Sequence, residues 1–498
     1  MTPATTTALL TAPIAVPLTT ACVYASARRH TLTAWAGLLS PATILACGTV
    51  LATTIPADGP ITIHGSLLRA DAVTAWMLLV VGAVAALACA ASPAYLAHEH
   101  ASGHGDAGAA RQYNALVHGF LAAMCAAVLA ANLGVLWVAI EATTIVTAFL
   151  VGHRRTRASV EAAWKYVVIC SAGIALAFLG TVLIYYAARQ AGIPEAWALD
   201  WPTLVSRADR LDPDVTRLGI TLIVLGFGAK AGLVPLHAWL PDAHSQAPAP
   251  VSALMSGVLL AVSFTAILRY KVIADAALGP DFTRTLLTGA ALLTLALAAA
   301  VLLGQRDYKR MLAYSSMEHM ALIALGGAIG SPLAIAAVLL HIAGHGLAKT
   351  VAFTSSGHIL HLQRTTRIGR VRGLLARAPS LGALFALATL ALLALPPFSL
   401  FASELGIARA GFAAGMGWPT AIALILVLAA FAALSARTAR MLLGPAPHAP
   451  GTPAVPVRLG TAAALPLAIG LLACAALGIT TGPLTRLLAD AAAILGGH

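Results

Sequence analysis

Several ionisable residues stand where an apolar chain ordinarily keeps none. Glu141 lies in NLGVLWVAIEATTIVTAFLVG and Lys230 in LGFGAKAGLVPLHAWLPDAHSQ, each inside a long apolar run. Burial penalises the charged form of both, so each alone tends to neutrality, while together each stabilises the other's charge. A passing proton breaks such a pair, which is relay chemistry; a static interhelical ion pair is the other reading. His341, His345 and Lys349 recur every four residues in IAAVLLHIAGHGLAKTVAF. A helix carries them on one face with about 6 Å of rise between neighbours. That gap is too long for direct hydrogen bonds and suits a water-bridged proton wire, the alternative being separate interhelical donors. Zinc held by His341 and His345 is not expected, because no acidic or thiol ligand stands near them in the sequence. Glu404, in LALLALPPFSLFASELGIARAG, completes the set.

Prolines mark where the helices holding these groups must break. Pro235 follows Lys230 closely, with Pro241, Pro248 and Pro250 after it, and Pro396 and Pro397 precede Glu404. Proline inside a spanning helix frees backbone carbonyls that need water or polar neighbours, and broken helices line ion pathways in transporters. A simple packing kink is the alternative. Accessory candidates are Glu318 and His319 in QRDYKRMLAYSSMEHMALI, His237 beside Pro235, and Lys165 in VEAAWKYVVIC. Glu318 and His319 suit a proton entrance or helix-end packing, and Lys165 is placed to snorkel to the interface. His98, Glu99, His100, His104 and Asp106 read as a solvated, His-rich loop.

The elements that must position these residues follow from composition. Of 498 residues, 59% are hydrophobic and only 10% charged. Soluble domains carry about a quarter charged residues, so this is an integral membrane protein. Apolar runs of spanning length give an all-α fold of about fourteen transmembrane helices, at 7–27, 31–54, 71–92, 114–132, 134–151, 162–187, 217–238, 250–270, 281–303, 311–330, 332–359, 380–411, 417–443 and 461–481. An amphipathic stretch, 483–496, is expected on the surface. Helices 4–8 and 9–13 read as two inverted five-helix repeats, with helices 7 and 12 broken. The organisation is then 1–110 for helices 1–3, 111–272 and 280–445 for the repeats, and 446–498 for helix 14 and tail.

Charge supports this layout. Alternate loops carry Arg28 and Arg29; Arg111; Arg154, Arg155 and Arg157; Arg306, Lys309 and Arg310; Arg364 to Arg377; and Arg437, Arg440 and Arg458. By the positive-inside rule these loops are cytoplasmic and both termini face outward. The formal charge of +12 therefore reflects topology; no loop is long enough for a nucleic-acid-binding domain. The start has no basic n-region and reads as a first transmembrane helix. Lysine occurs only at 165, 230, 271, 309 and 349. Arginine holds its proton at any working pH, whereas a buried lysine releases one, so lysine in helices and arginine in loops fits reversible protonation. Cys22, Cys47, Cys89, Cys125, Cys170 and Cys474 form no Cys-x-x-Cys pair, so they are packing residues, and no cofactor, metal or redox centre is expected on this chain.

KAGLVPLHAWLPDAHSQAPAPVSALMSG, QRDYKRMLAYSSMEHM, HIAGHGLAKTVAFTSSGHI and LPPFSLFASE, in this order within about 70–440, resemble the antiporter-like proton-conducting subunits of complex I, group 4 membrane-bound hydrogenases and multisubunit cation/proton antiporters. TRASVEAAWKYVVICSAGIALAFLGTVLIYYA, YSSMEHM and PPFSLFASE look most like component F of the hydrogenase-4 type. The resemblance implies two half-channels joined by a polar axis at mid-membrane. It carries the family's helix-five glutamate to Glu141, its helix-seven lysine to Lys230, its helix-eleven groups to His341, His345 and Lys349, and its helix-twelve group to Glu404. Relatives often carry Lys or His on helix eight, where this chain has Ser256 and Ala261, so its axis is expected to lean more on water. The chain also stops soon after helix fourteen, unlike the largest subunit of complex I, which continues into a long lateral helix.

The resulting expectation is a proton-translocating membrane subunit with no redox centre of its own. It would serve a group 4 nickel–iron hydrogenase or a complex I-like NADH/quinone oxidoreductase. Its partners would be other membrane subunits and, through them, subunits with iron–sulfur clusters and, in the hydrogenase case, nickel–iron, in a prokaryotic plasma membrane. The alternatives are a subunit of a multisubunit sodium/proton antiporter, a proton-coupled inorganic-carbon uptake subunit working with a soluble zinc partner, and a scaffold with a dead ion path, against which the retained ionisable residues argue.

Overall fold

A computed structural model describes residues 2–26, 35–63, 67–101, 106–444 and 457–496. Arg28, Arg29 and His104 lie outside the described residues. The chain begins with α1 (Pro3–Ser26) and α2 (Leu39–Asp58). A small antiparallel hairpin follows, β1 (Ile61–Ile63) on β2 (Leu68–Ala70), with Ile61 opposite Ala70. Apart from this short hairpin, regular structure in the described residues is helical, as expected. Then come α3 (Ala72–Ala101), α4 (Ala107–Leu129), α5 (Leu133–Val151) and α6 (Arg157–Gln190). Their starts are set by side chains that satisfy otherwise unpaired first-turn amides. Asp106 accepts from the Ala109 amide, Asn132 from Gly134 and Val135, and Thr156 from Ser159.

The short α7 (Trp201–Ser206) leads to α8 (Pro213–Ala231), which ends one residue after Lys230. Gly232 takes a positive φ there, and its amide bonds back to Ala229, the usual left-handed helix stop. After the Pro235 break the chain resumes as α9 (Trp239–Gln246), α10 (Ala249–Leu254), a π-helical turn (Met255–Leu259) and α11 (Leu260–Leu278). Next are α12 (Pro280–Gly304), α13 (Tyr308–Ile329) and α14 (Pro332–Gln363), the last two capped by Asp307 and Ser331. A turn of helix, α15 (Leu374–Arg377), precedes α16 (Pro379–Leu392), the Pro396–Pro397 break and α17 (Ser399–Ala413). The chain closes with α18 (Gly417–Leu442), α19 (Thr461–Ile479) and α20 (Thr485–Leu495). The amphipathic α20 buries Leu487, Leu488, Ala491, Ala492 and Leu495, packing on α3 and α14.

Among the described residues, eleven helices are long and apolar enough to cross a membrane. They form a nested arrangement. The segments Ala249–Leu278 and Pro332–Gln363 are buried on nearly all sides, whereas the outer helices, including α1, α6, α12, α18 and α19, bury well under half of their apolar windows. Close approach of the inner segments depends on glycine. A Cβ at Gly346 of α14 would sit 2.8 Å from the Gly257 carbonyl in the π turn, and one at Gly226 of α8 would sit 2.5 Å from backbone atoms of α6. Small residues let helix backbones touch where no hydrophobic force drives them together. The polar side chains below are therefore enclosed by helices.

Candidate functional site

Lys230 is fully buried in the last turn of α8. Its ammonium donates to Thr144 Oγ1 of α5 at 2.6 Å and to the Tyr166 hydroxyl of α6 at 2.8 Å, and it stands 5.1 Å from the Tyr166 ring centroid. Tyr166 in turn shares a 2.6 Å hydrogen bond with Thr147. The expected contact with Glu141 is indirect. Glu141 lies one turn before Thr144, with Ser171 donating to it at 3.5 Å. It is half-buried at the edge of an open cavity of about 560 Å³ between α5 and α6. Thr144, one turn from Glu141 on α5, meets the ammonium directly, while Glu141 and Thr144 both line the cavity.

The second cluster joins α13, α14 and α17. His341, His345 and Lys349 are fully buried on α14, as their spacing requires. Lys349 donates to the Leu312 carbonyl at 2.7 Å and to Ser315 Oγ. His341 Nε2 lies 3.1 Å from His319 Nδ1, and His341 Nδ1 lies 3.0 Å from Ser403 Oγ. Ser403 donates its one hydrogen to the Leu400 carbonyl at 3.0 Å, so it accepts from His341. In the arrangement that keeps the Ser403–Leu400 bond, His341 carries its proton on Nδ1 and accepts on Nε2 from His319. The His319 ring lies tilted against that of His345, with centroids 5.1 Å apart, and its Nδ1 lies 3.9 Å from Glu404. Glu404, just beyond the Pro396–Pro397 break, is 18% exposed. Glu318 and His319 are buried three turns inside α13, in this cluster and away from the helix end.

Between the two clusters stands a residue the local pattern did not single out. His244, on α9, is fully buried, 5.9 Å from the Trp239 ring and 5.7 Å from Phe353. Trp239 packs at 4.8 Å on the ring of Tyr166, beside Lys230, and Phe353 is four residues from Lys349 on α14. His244 thus lies between the Lys230 and Lys349 clusters. Ser256 instead pairs with Ser316 at 2.7 Å. Neither ring nitrogen of His345 has a hydrogen-bond partner within the protein. Buried polar atoms are rarely left so, and bridging water satisfies them.

Four sequence expectations need correction. Lys165 stays out of the buried axis: it is half-exposed and pairs with Glu161 at 2.7 Å and Asp242 at 3.1 Å, and Asp242 also holds Arg310 at 2.9 Å. Lys309, placed in a loop by charge pattern, is buried, as is Lys271. Lys309 donates to the Ala247 carbonyl at 3.0 Å, and Lys271 pairs with Asp275. Glu99 is not solvated: it is buried at the end of α3, bonded to Arg154 at 2.8 Å and His361 at 3.2 Å. Finally, an acidic group does stand near His341, because α17 folds Glu404 against it. His237 sits half-buried in the α8–α9 break, with its Nδ1 unbonded.

Comparison with known proteins adds independent findings. Residues 130–431 match the family described as NADH:quinone oxidoreductase/Mrp antiporter, transmembrane. The hydrogenase-4 component F homolog of Methylacidiphilum infernorum is 38% identical over 349 residues, which cover 70% of this chain and 73% of that protein. Among solved structures, a chain of the archaeal membrane-bound sulfane sulfur reductase superposes with a TM-score of 0.86 at 24% identity, covering 98% of this chain and 97% of its own. A chain of the Mrp complex from Dietzia sp. gives 0.84 at 22% identity, over 98% and 97%. At such identities the structural likeness speaks for the fold.

Proposed function

Because this chain belongs to the NADH:quinone oxidoreductase/Mrp antiporter transmembrane family, we propose that it translocates protons as an antiporter-like subunit of a redox-driven membrane complex. The observation that carries the reading is the buried axis from Lys230 through His244 to Lys349, His345, His341, His319 and Glu404. Ionisable groups inside a membrane protein are costly and persist where they serve transport. The tautomer chain from His319 through His341 to Ser403 gives the far end a direction for proton hopping, and bridging water links His345, which has no partner in the protein. Glu141 governs Lys230 through Thr144: a proton arriving at the carboxylate weakens its hold on the ammonium.

The architecture supports two inverted repeats. Adding α13 and the broken pairs α8–α9 and α16–α17 to the eleven long apolar helices makes fourteen crossings. Residues 111–272 and 280–445 then each hold five, the fourth being broken beside an ionisable residue. Residues 1–110 supply the first three crossings and 446–498 the last, with both termini outside a prokaryotic plasma membrane. Electrons and their iron–sulfur clusters belong to partner subunits of a group 4 nickel–iron hydrogenase or a complex I-like oxidoreductase.

The test is proton uptake by vesicles carrying the assembled complex, normalised to its electron-transfer rate. Lys230→Ala and Glu141→Ala should each abolish most uptake while the complex stays assembled, since the first removes the buried cation of the relay and the second leaves that cation without its carboxylate. Near-normal uptake in both variants overturns the proposal.

A further inference from the structure

We propose that His319, His341 and Glu404 form a binding site for a divalent transition-metal ion of the zinc type, and that its occupancy arrests the axis. The arrest, unlike the binding, rests on the relay reading above. One ligand atom from each residue lies within 4.8 Å of the other two. The imidazole nitrogens are 3.1 Å apart and His319 Nδ1 is 3.9 Å from the carboxylate. Zinc bonds of about 2.0–2.2 Å in tetrahedral geometry separate ligands by about 3.4 Å, so chiefly the Glu404 carboxylate has to move, by roughly 1 Å. Two imidazoles with one carboxylate favour zinc and its neighbours over sodium, magnesium or calcium, which prefer oxygen ligands.

The surroundings fit a ligand set. Ser403 holds His341 with its Nδ1 proton turned away, so the Nε2 lone pair faces the site; such outer partners orient metal-bound histidines. The proton on His319 Nδ1 is what the ion displaces. It moves to the buried Nε2, so zinc and the proton on Nδ1 exclude each other. The charged and titratable groups facing the site are Glu318 on α13, His345 and Lys349 on α14, and Glu404 itself. Glu318 adds a second carboxylate within Coulombic reach of Glu404. The ion would hold three relay groups and repel any proton bound for His345 or Lys349. Partial exposure of Glu404 leaves one side of the site open.

The experiment titrates the purified, assembled complex with zinc and measures metal retained after desalting. It is paired with zinc-edge X-ray absorption of the unmodified complex and proton uptake by vesicles. The unmodified complex should retain one more zinc than His341→Gln or Glu404→Gln complexes of verified assembly, with imidazole nitrogen at about 2.0–2.1 Å. Ser403→Ala should weaken binding about 10–100-fold, and zinc should stop proton uptake. Equal retention in all complexes, or a first shell without imidazole, overturns the site. Zinc held by these ligands with uptake unchanged overturns the arrest and counts against the relay reading, leaving the binding site standing.

Discussion

Replacing Gly226 with alanine tests how closely α8 must lie against α6 to hold Lys230. A Cβ there would sit 2.5 Å from both the Ala177 amide nitrogen and the Gly173 carbonyl oxygen, and 2.7 Å from Ala177 Cβ. Backbone cannot yield as a flexible side chain does, so α8 moves outward by about 0.8 Å to reach ordinary contact. Lys230 is one turn further on the same face, and its 2.8 Å bond to Tyr166 would stretch to roughly 3.6 Å, too long for a hydrogen bond. Overpacking costs about 1–3 kcal/mol and the lost charged hydrogen bond about 1.5–3 kcal/mol, so the local loss is about 2.5–6 kcal/mol. Gly289→Ala on α12 is the control, because nothing lies within 4 Å of its Cβ. Thermal unfolding of the assembled complex and proton uptake per electron are the assays. Gly226→Ala should lower the unfolding midpoint and cut uptake severalfold, with Gly289→Ala near wild type. Unchanged midpoint and coupling in Gly226→Ala would refute the packing argument.

Two further outcomes follow from the same structure. Asp71, just before α3, receives paired hydrogen bonds from Arg269 at 2.6 and 2.7 Å. Burial alone would raise its carboxyl, but Arg269, the Thr74 amide and Arg69 outweigh it and hold it at about 2, below the ordinary 3.8. This depressed value contributes about 2 kcal/mol, present above pH 3.8 and lost as pH falls from there toward 2. Asp71→Asn should cost about 3–5 kcal/mol at neutral pH by leaving Arg269 unpaired, and should flatten the acid limb of the stability curve; an unchanged midpoint would show that the pair contributes nothing. In a topology assay, a reporter fused at the C-terminus should signal from outside the cytoplasm and one in the Arg364–Arg377 loop from inside; a cytoplasmic C-terminus would mean an odd number of crossings.

What was legible in the sequence is what local periodicity and local chemistry encode. The four-residue spacing of His341, His345 and Lys349 placed them on one face of α14, and the prolines near Lys230 and Glu404 marked both breaks. Contacts between distant segments were not legible. Ser403 and Glu404 reach His341 and His319 only because α17 packs on α14 and α13. His244 becomes an axial residue because the break folds α9 back beneath Tyr166 and Phe353. Lys309 looked like a loop cation because its neighbours are Arg306 and Arg310, yet the first turn of α13 turns it inward to the Ala247 carbonyl. Glu99 sits in a His-rich stretch that reads as solvated until Arg154 and His361, 55 and 262 residues away, close over it.

The central claim is that groups on the buried axis change protonation state, and Lys349→Arg probes it most directly. Arginine preserves the cation and its bonds toward the Leu312 carbonyl and Ser315 but keeps its proton under all working conditions. The measurement is proton uptake by vesicles carrying the assembled complex, divided by the electron-transfer rate. The account predicts a severe loss of protons per electron in Lys349→Arg with assembly intact; wild-type coupling would contradict it, showing that this lysine need not release its proton.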